Sequence, residues 1–226
     1  MHGQLFVIEG VDGSGKATQT ARLYDALTQA GYPTGRVEFP NYTSPSSSLI
    51  KMYLNGDFGQ EAGAVNPFVA STFYAVDRFA TFRTEWENFY ASGGILIADR
   101  YTTSNMIHQG SKIADPQAKE AYFQWLLDFE YHLFGLPEPD CVLFLDMPPA
   151  CSQTLRQSRG TLKQDLAQDI HEADNAYLLA SYENARAIAE AYHWHIIACT
   201  EPDGTIRSID AIASDVLLAV SPYLPK

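Results

Sequence analysis

A chain of 226 residues with 46% hydrophobic and 19% charged residues carries enough apolar surface for one sizeable core and too much for a disordered polymer. Fifteen Lys and Arg against 27 Asp and Glu leave a formal charge of −12, a surface that repels polyanions and argues against a nucleic-acid groove. The three cysteines, Cys141, Cys151 and Cys199, are too few for a disulfide framework, no apolar run nears the ~20 residues of a membrane span, and no basic lead with an apolar segment opens the chain, so a soluble, cytoplasmic protein is expected.

In chain order, Leu5-Phe6-Val7-Ile8 reads as a first strand, followed by a glycine-rich loop and a helix over residues 15–30 that stops at Gly31. Residues 34–39 read as a second strand. Asn66-Pro67 supplies a cap and a preset first turn for a helix over 67–91. Residues 95–98 form a third strand, 116–134 a helix, 141–145 a fourth strand, 169–191 a helix and 195–198 a fifth strand. Most of the strands are nearly continuous apolar runs, as parallel strands covered on both faces require, and their alternation with helices predicts a doubly wound α/β sheet. With no repeat, low-complexity run or linker, residues 1–226 are read as one domain.

The loop Gly10-Val-Asp12-Gly13-Ser14-Gly15-Lys16 lies between a strand and a helix. Glycines there let backbone amides turn toward phosphate oxygens, the helix start adds positive potential, and Lys16 reaches terminal phosphates. A tight glycine turn is the plainer alternative. Ala17 follows the lysine where a hydroxyl commonly ligates magnesium, and Thr18, turned about 100° around the helix, is placed to touch a phosphate rather than replace that ligand.

Asp99-Arg100 follows the third strand, at the sheet edge where ligands bind. A carboxylate there can hold a metal ion and a guanidinium can bridge phosphates, unless the two form an exposed ion pair. Tyr74 and Arg78, four apart on one helix, share a face and could stack on a base and donate to its carbonyl, although the many rings around them make Tyr74 equally readable as core. Phe39-Pro40-Asn41-Tyr42 ends the second strand, either beside the crevice or as an aromatic plug, and Ser104 and Asn105 read on their own as helix caps. The stretch "QTLRQSRGTLK", residues 153–163, holds Arg156, Arg159 and Lys163 without an acid: a solvated helix end or a lid.

Together "EGVDGSGKATQ", Phe39-Pro40-Asn41-Tyr42, Tyr74-Ala-Val-Asp-Arg78 and Asp99-Arg100-Tyr101-Thr-Thr-Ser104-Asn105 resemble the thymidylate kinase family in order and spacing over residues 4–110. The resemblance implies a P-loop kinase fold, a five-stranded parallel sheet flanked by helices on both faces, working as a homodimer that moves the γ-phosphate of ATP to dTMP with Mg2+. It implies an ATP loop of Gly10, Asp12, Gly13, Ser14, Gly15, Lys16, Ala17 and Thr18. It implies an acceptor site of Asp12 (on the sugar 3′-hydroxyl), Phe39, Pro40, Tyr42, Tyr74 stacking on the base, Arg78 on its O4 edge, Arg100 on the phosphate, Ser104, Asn105 and His108. The family more often has Phe at the position of Tyr74 and an aromatic residue at that of His108, which screens the sugar's 2′ side. Catalysis falls to Lys16, Asp99, Arg100, Arg156 and Arg159, the last two from a basic lid at about 153–168 that replaces an arginine missing from the loop. Magnesium falls to Asp99, with Asp12 or Glu172 sharing it. Two other readings stay open: a deoxynucleoside kinase with Glu38 as base, and a P-loop protein that binds nucleotide without turnover.

Overall fold

The computed structural model describes residues 3–61, 63–160 and 175–225, without the side chains of 154, 156–160 and 175. Five strands, β1 (Gln4–Glu9), β2 (Thr34–Glu38), β3 (Ile95–Asp99), β4 (Cys141–Asp146) and β5 (His195–Ala198), form one sheet in the order β2-β3-β1-β4-β5. Every neighbouring pair is parallel. Because successive strand residues face opposite sides, β1 serves two cores. Phe6 and Ile8 meet Leu23 and Leu27 of helix α1 (Lys16–Gln29), while Leu5 and Val7 pack with Phe82, Trp86 and Tyr101 on the other face. Each of these buried apolar side chains stabilises the fold by about 1.5–3 kcal/mol relative to exposure.

Seven further α-helical segments follow: α2 (Ser48–Leu54), α3 (Pro67–Thr81), α4 (Glu87–Ala91), α5 (Thr102–His108), α6 (Pro116–Leu127), α7 (Pro149–Gly160) and α8 (Asn175–Ala191), with α9 (Ile209–Val220) last. Ile212, Val216 and Val220 of α9 close the same core as α1, and Phe144 of β4 meets α5, α6 and α8 on the opposite face. None of the described helices is long and apolar enough to cross a membrane.

The predicted helix over 67–91 is interrupted. Between α3 and α4 the chain widens into a π-helical segment, Phe82–Trp86, which turns both Phe82 and Trp86 inward with ring centroids 4.6 Å apart. The predicted helix over 116–134 likewise ends its regular part at Leu127 and continues as a π-helical segment, Asp128–Leu133. Of the helix expected over 169–191, the part before residue 175 lies outside the described residues. Helices α2 and α9 were not among the predicted elements, and α5 and α7 are marked in the sequence only by a helix cap and a candidate helix end, without bounds; α2 and α5 have only seven residues each, too few to display a helical period.

Candidate active site

The parallel register brings three strand ends to one edge: Ile8 lies opposite Asp99, and Glu38 lies opposite the same Asp99 from the other side. The chain leaves β1 through Gly10, whose φ of 156° and crowding admit no side chain. A Cβ there would stand 2.5 Å from Ser14 Oγ and 3.2 Å from the Leu145 carbonyl. Gly15, at φ 94°, is the left-handed turn into α1. Lys16 is buried, and its Nζ donates to the carbonyls of Gly10 at 2.9 Å and Val11 at 3.0 Å, folding the lysine back into the loop that would receive phosphate. Ser14 is buried with no hydrogen-bond partner for its hydroxyl among the described residues, Ala17 is exposed on the first turn of α1, and Thr18 is half-buried there.

Arg100 leaves β3 with φ 69°, in the left-handed region that costs a non-glycine residue about 1–2 kcal/mol. Its guanidinium donates to Asp12 and to Ser104 Oγ (3.3 Å), and its Nη1 lies 3.0 Å from His108 Nε2. Backbone strain held in place by such a network is a frequent mark of a working site. Burial alone would lower the pKa of Arg100, but Asp12, Glu9 and Asp99 outweigh it and hold the group charged. Burial would likewise raise Asp12, yet Arg100, Lys16 and His108 bring its carboxyl below the ordinary range. Lys16 is lowered, first by burial and then by Arg100.

All ten residues assigned to the acceptor, Asp12, Phe39, Pro40, Tyr42, Tyr74, Arg78, Arg100, Ser104, Asn105 and His108, line one cavity of about 260 Å³. Leu54, Gln109 and Tyr177 line it too and were missed; Tyr177, whose hydroxyl donates to the His108 carbonyl, comes from α8, far along the chain. Glu38 also borders the cavity and is exposed. Ser104 and Asn105 are not the caps that their residue types suggest. They lie inside α5, whose N-terminus has no side-chain cap of its own.

Glu9 does that work. Fully buried, it accepts from the Tyr101 amide at 3.2 Å, Thr103 Oγ1 at 2.7 Å and Ser104 Oγ at 2.7 Å, so the last residue of β1 ties down the first turn of α5. Burial raises its pKa, against Arg100 and the two hydroxyls. Sequence reasoning passed over it because a strand-end acid gives no sign that its partners stand more than ninety residues away. Glu130 was missed as well: it is buried in a two-pronged ion pair with Arg78.

Asp99 is buried at the end of β3 and acts, with Asp12, on both Lys16 and Arg100. These carboxylates are oxygen donors of the kind a hard divalent cation takes. No group of three or more metal-binding side chains occurs among the described residues. A second cavity of about 260 Å³ opens between the loop and the starts of α7 and α8, lined by Val11, Asp12, Ser152 and Gln153. The side chains of Arg156 and Arg159, together with Lys163 and Glu172, fall outside the described residues.

Residues 8–208 match the family model described as thymidylate kinase. The chain is 30% identical over 173 residues to the thymidylate kinase of Mycobacterium tuberculosis, covering 75% of this chain and 78% of that one. It is 30% identical over 145 residues to the thymidylate kinase of Homo sapiens, covering 64% and 61%. A solved structure of thymidylate kinase from Candida albicans superposes with a TM-score of 0.70 at 19% identity, over 98% of this chain and 92% of that one, a likeness that speaks for the fold.

Proposed function

The chain belongs to the thymidylate kinase family and phosphorylates dTMP to dTDP on a P-loop kinase fold, and from that premise we infer how its own residues do so. ATP, the family's co-substrate, lies with its phosphates in the Gly10–Lys16 loop, and dTMP fills the cavity beside it with its phosphate against Arg100. The observation that carries this reading is the Asp12–Arg100–Lys16 cluster at the boundary between the two spaces.

A monophosphate has a second pKa near 6 and is mostly a dianion at pH 7, so the acceptor needs no base. What opposes reaction is the meeting of two anions. Lys16 shifts from its two carbonyls to the terminal phosphates of ATP. Arg100, already charged and aimed into the cavity, exchanges part of its hold on Asp12 and Ser104 for the acceptor phosphate. Asp12, so released, accepts from the sugar hydroxyl. Tyr74 packs against the base and Arg78 donates to its carbonyl. Arg156 and Arg159 of a basic lid at about 153–168, within the single domain, add positive charge over the transferred group. The divalent metal typical of the family would be Mg2+, which Asp99 with Asp12 or Glu172 would hold and which would supply charge neutralisation. With dTMP as the acceptor, no general base is required of Glu38.

The chain works as a homodimer through α3, where Val69 and Val76 are 48% and 44% exposed beside Phe68 and Phe79 on one stripe. Its three free cysteines suit a reducing cytoplasm, and its charge keeps it from nucleic acid. The test is transfer from ATP with Mg2+ to a panel of dTMP, dUMP, dCMP and thymidine. Turnover of dTMP supports the reading, and turnover of thymidine alone overturns it.

A further inference from the structure

Arg78 reaches the cavity from a fully buried setting, and its orientation is not left to the ligand. Its Nε donates to Glu130 Oε2 at 2.6 Å, its Nη2 to Glu130 Oε1 at 2.5 Å and its Nη1 to the Tyr101 carbonyl at 3.3 Å. A guanidinium has five N–H donors in one plane. Three are spent on these partners, leaving one on each terminal nitrogen of a residue that lines the cavity. Glu130 is itself held: Thr102 Oγ1 donates to its Oε2 at 2.8 Å. It enters this position from the π-helical segment Asp128–Leu133, a local widening of the helix of the sort often found at functional sites. Burial would depress the charge on Arg78, and the facing Glu130 more than restores it.

We propose that Glu130, seconded by Thr102, is a positioning residue that locks the plane of Arg78 so that its two remaining N–H groups meet a carbonyl on the acceptor base, favouring a 4-oxo pyrimidine over a 4-amino one. The chemistry is one of sign. A guanidinium can only donate, so a carbonyl edge is accepted while an amino edge presents donor to donor. A guanidinium free to swing could turn away from an amino group and tolerate it; one clamped on two sides cannot. The inference rests on the reading of the cavity as the dTMP site.

Steady-state kinetics of Glu130→Asp, Glu130→Gln, Thr102→Val and Arg78→Ala, with dTMP, dCMP and ATP as varied substrates, test it. Glu130→Asp keeps the charge but withdraws the carboxylate by one methylene. The expected result is a dTMP KM raised about tenfold, the size of one charge-assisted hydrogen bond, with kcat and the ATP KM nearly unchanged and the dTMP-over-dCMP preference reduced by a similar factor. Thr102→Val, which leaves the ion pair whole, should shift the same quantities in the same direction by about threefold, and it serves if the Glu130 variants fold poorly. Equal rises in the KM for dTMP and ATP, a loss confined to kcat, or an unchanged dTMP-over-dCMP preference in both Glu130→Asp and Thr102→Val would overturn the clamp. If Arg78→Ala raises the dTMP KM while the Glu130 and Thr102 variants do not, the clamp alone is wrong. If Arg78→Ala leaves that KM unmoved, the reading of the cavity fails with it.

Discussion

Replacing Arg100 by Ala and by Gly separates its two roles. The residue stands at φ 69° and makes contacts to Asp12, Ser104 and His108. Both substitutions remove the same guanidinium, so the lost contacts cancel between them. Alanine keeps the left-handed strain of about 1–2 kcal/mol, and glycine does not. Glycine in turn gives the unfolded chain more freedom, which costs about 0.4–1 kcal/mol. The difference leaves Arg100→Gly more stable than Arg100→Ala by about 1 kcal/mol, the reverse of the usual order, or about 2–4 °C in Tm for a chain of this size. Urea denaturation of the nucleotide-free variants measures it. Both variants should lose kcat/KM for dTMP by about 10³-fold or more, because the acceptor phosphate has lost its bridging cation. An alanine variant as stable as the glycine variant would refute the strained geometry. Near-normal turnover in either would remove Arg100 from the reaction.

Lys16→Ala should lower turnover by a similar factor, about 10³, while circular dichroism stays native, since Nζ donates to carbonyls of its own loop and its ion pair with Asp12, at 3.7 Å, lies within that loop too; retained activity would contradict its role. Asp12→Asn should reveal a pH-dependent loss of stability. The carboxyl of Asp12 titrates lower in the folded protein than in the unfolded chain, so its stabilisation is complete above about pH 4 and fades as pH falls further, toward the folded value. A wild-type-minus-variant difference that stays constant from pH 7 to pH 2.5 would contradict this. Ala17→Ser, at an exposed position on the first turn of α1, should lower the magnesium concentration for half-maximal rate if a hydroxyl there completes the metal site. An unchanged titration would show that the carboxylates suffice.

The three central strands β1, β3 and β4 were legible because they are buried on both faces. Leu5 to Ile8 and Cys141 to Leu145 announce themselves as unbroken apolar runs, and the carboxyl end of each parallel strand delivers its next residues to the ligand edge. Of the residues that the resemblance assigns to the acceptor, Phe39, Asp12 and Arg100 each sit just past a strand. Arg78 was legible as a residue but not in its setting, because nothing in "LLDFEYHLF" distinguishes Glu130 from Asp128 or from a solvated helix acid. Only the π-helical step turns Glu130 into the core. Glu9 was hidden in the opposite way. Its neighbours are apolar, but the donors that make a buried carboxylate tolerable come from the start of α5, a pairing created by the sheet order rather than by any local pattern.

A crystal structure of the chain with dTMP and a non-hydrolysable ATP analogue tests the central claim most directly. The account predicts thymine against Tyr74 with its carbonyl on Arg78, the acceptor phosphate on Arg100, and the triphosphate wrapped by residues 10–16. Nucleotide bound elsewhere, with the cavity beneath Arg100 left unfilled, would contradict it.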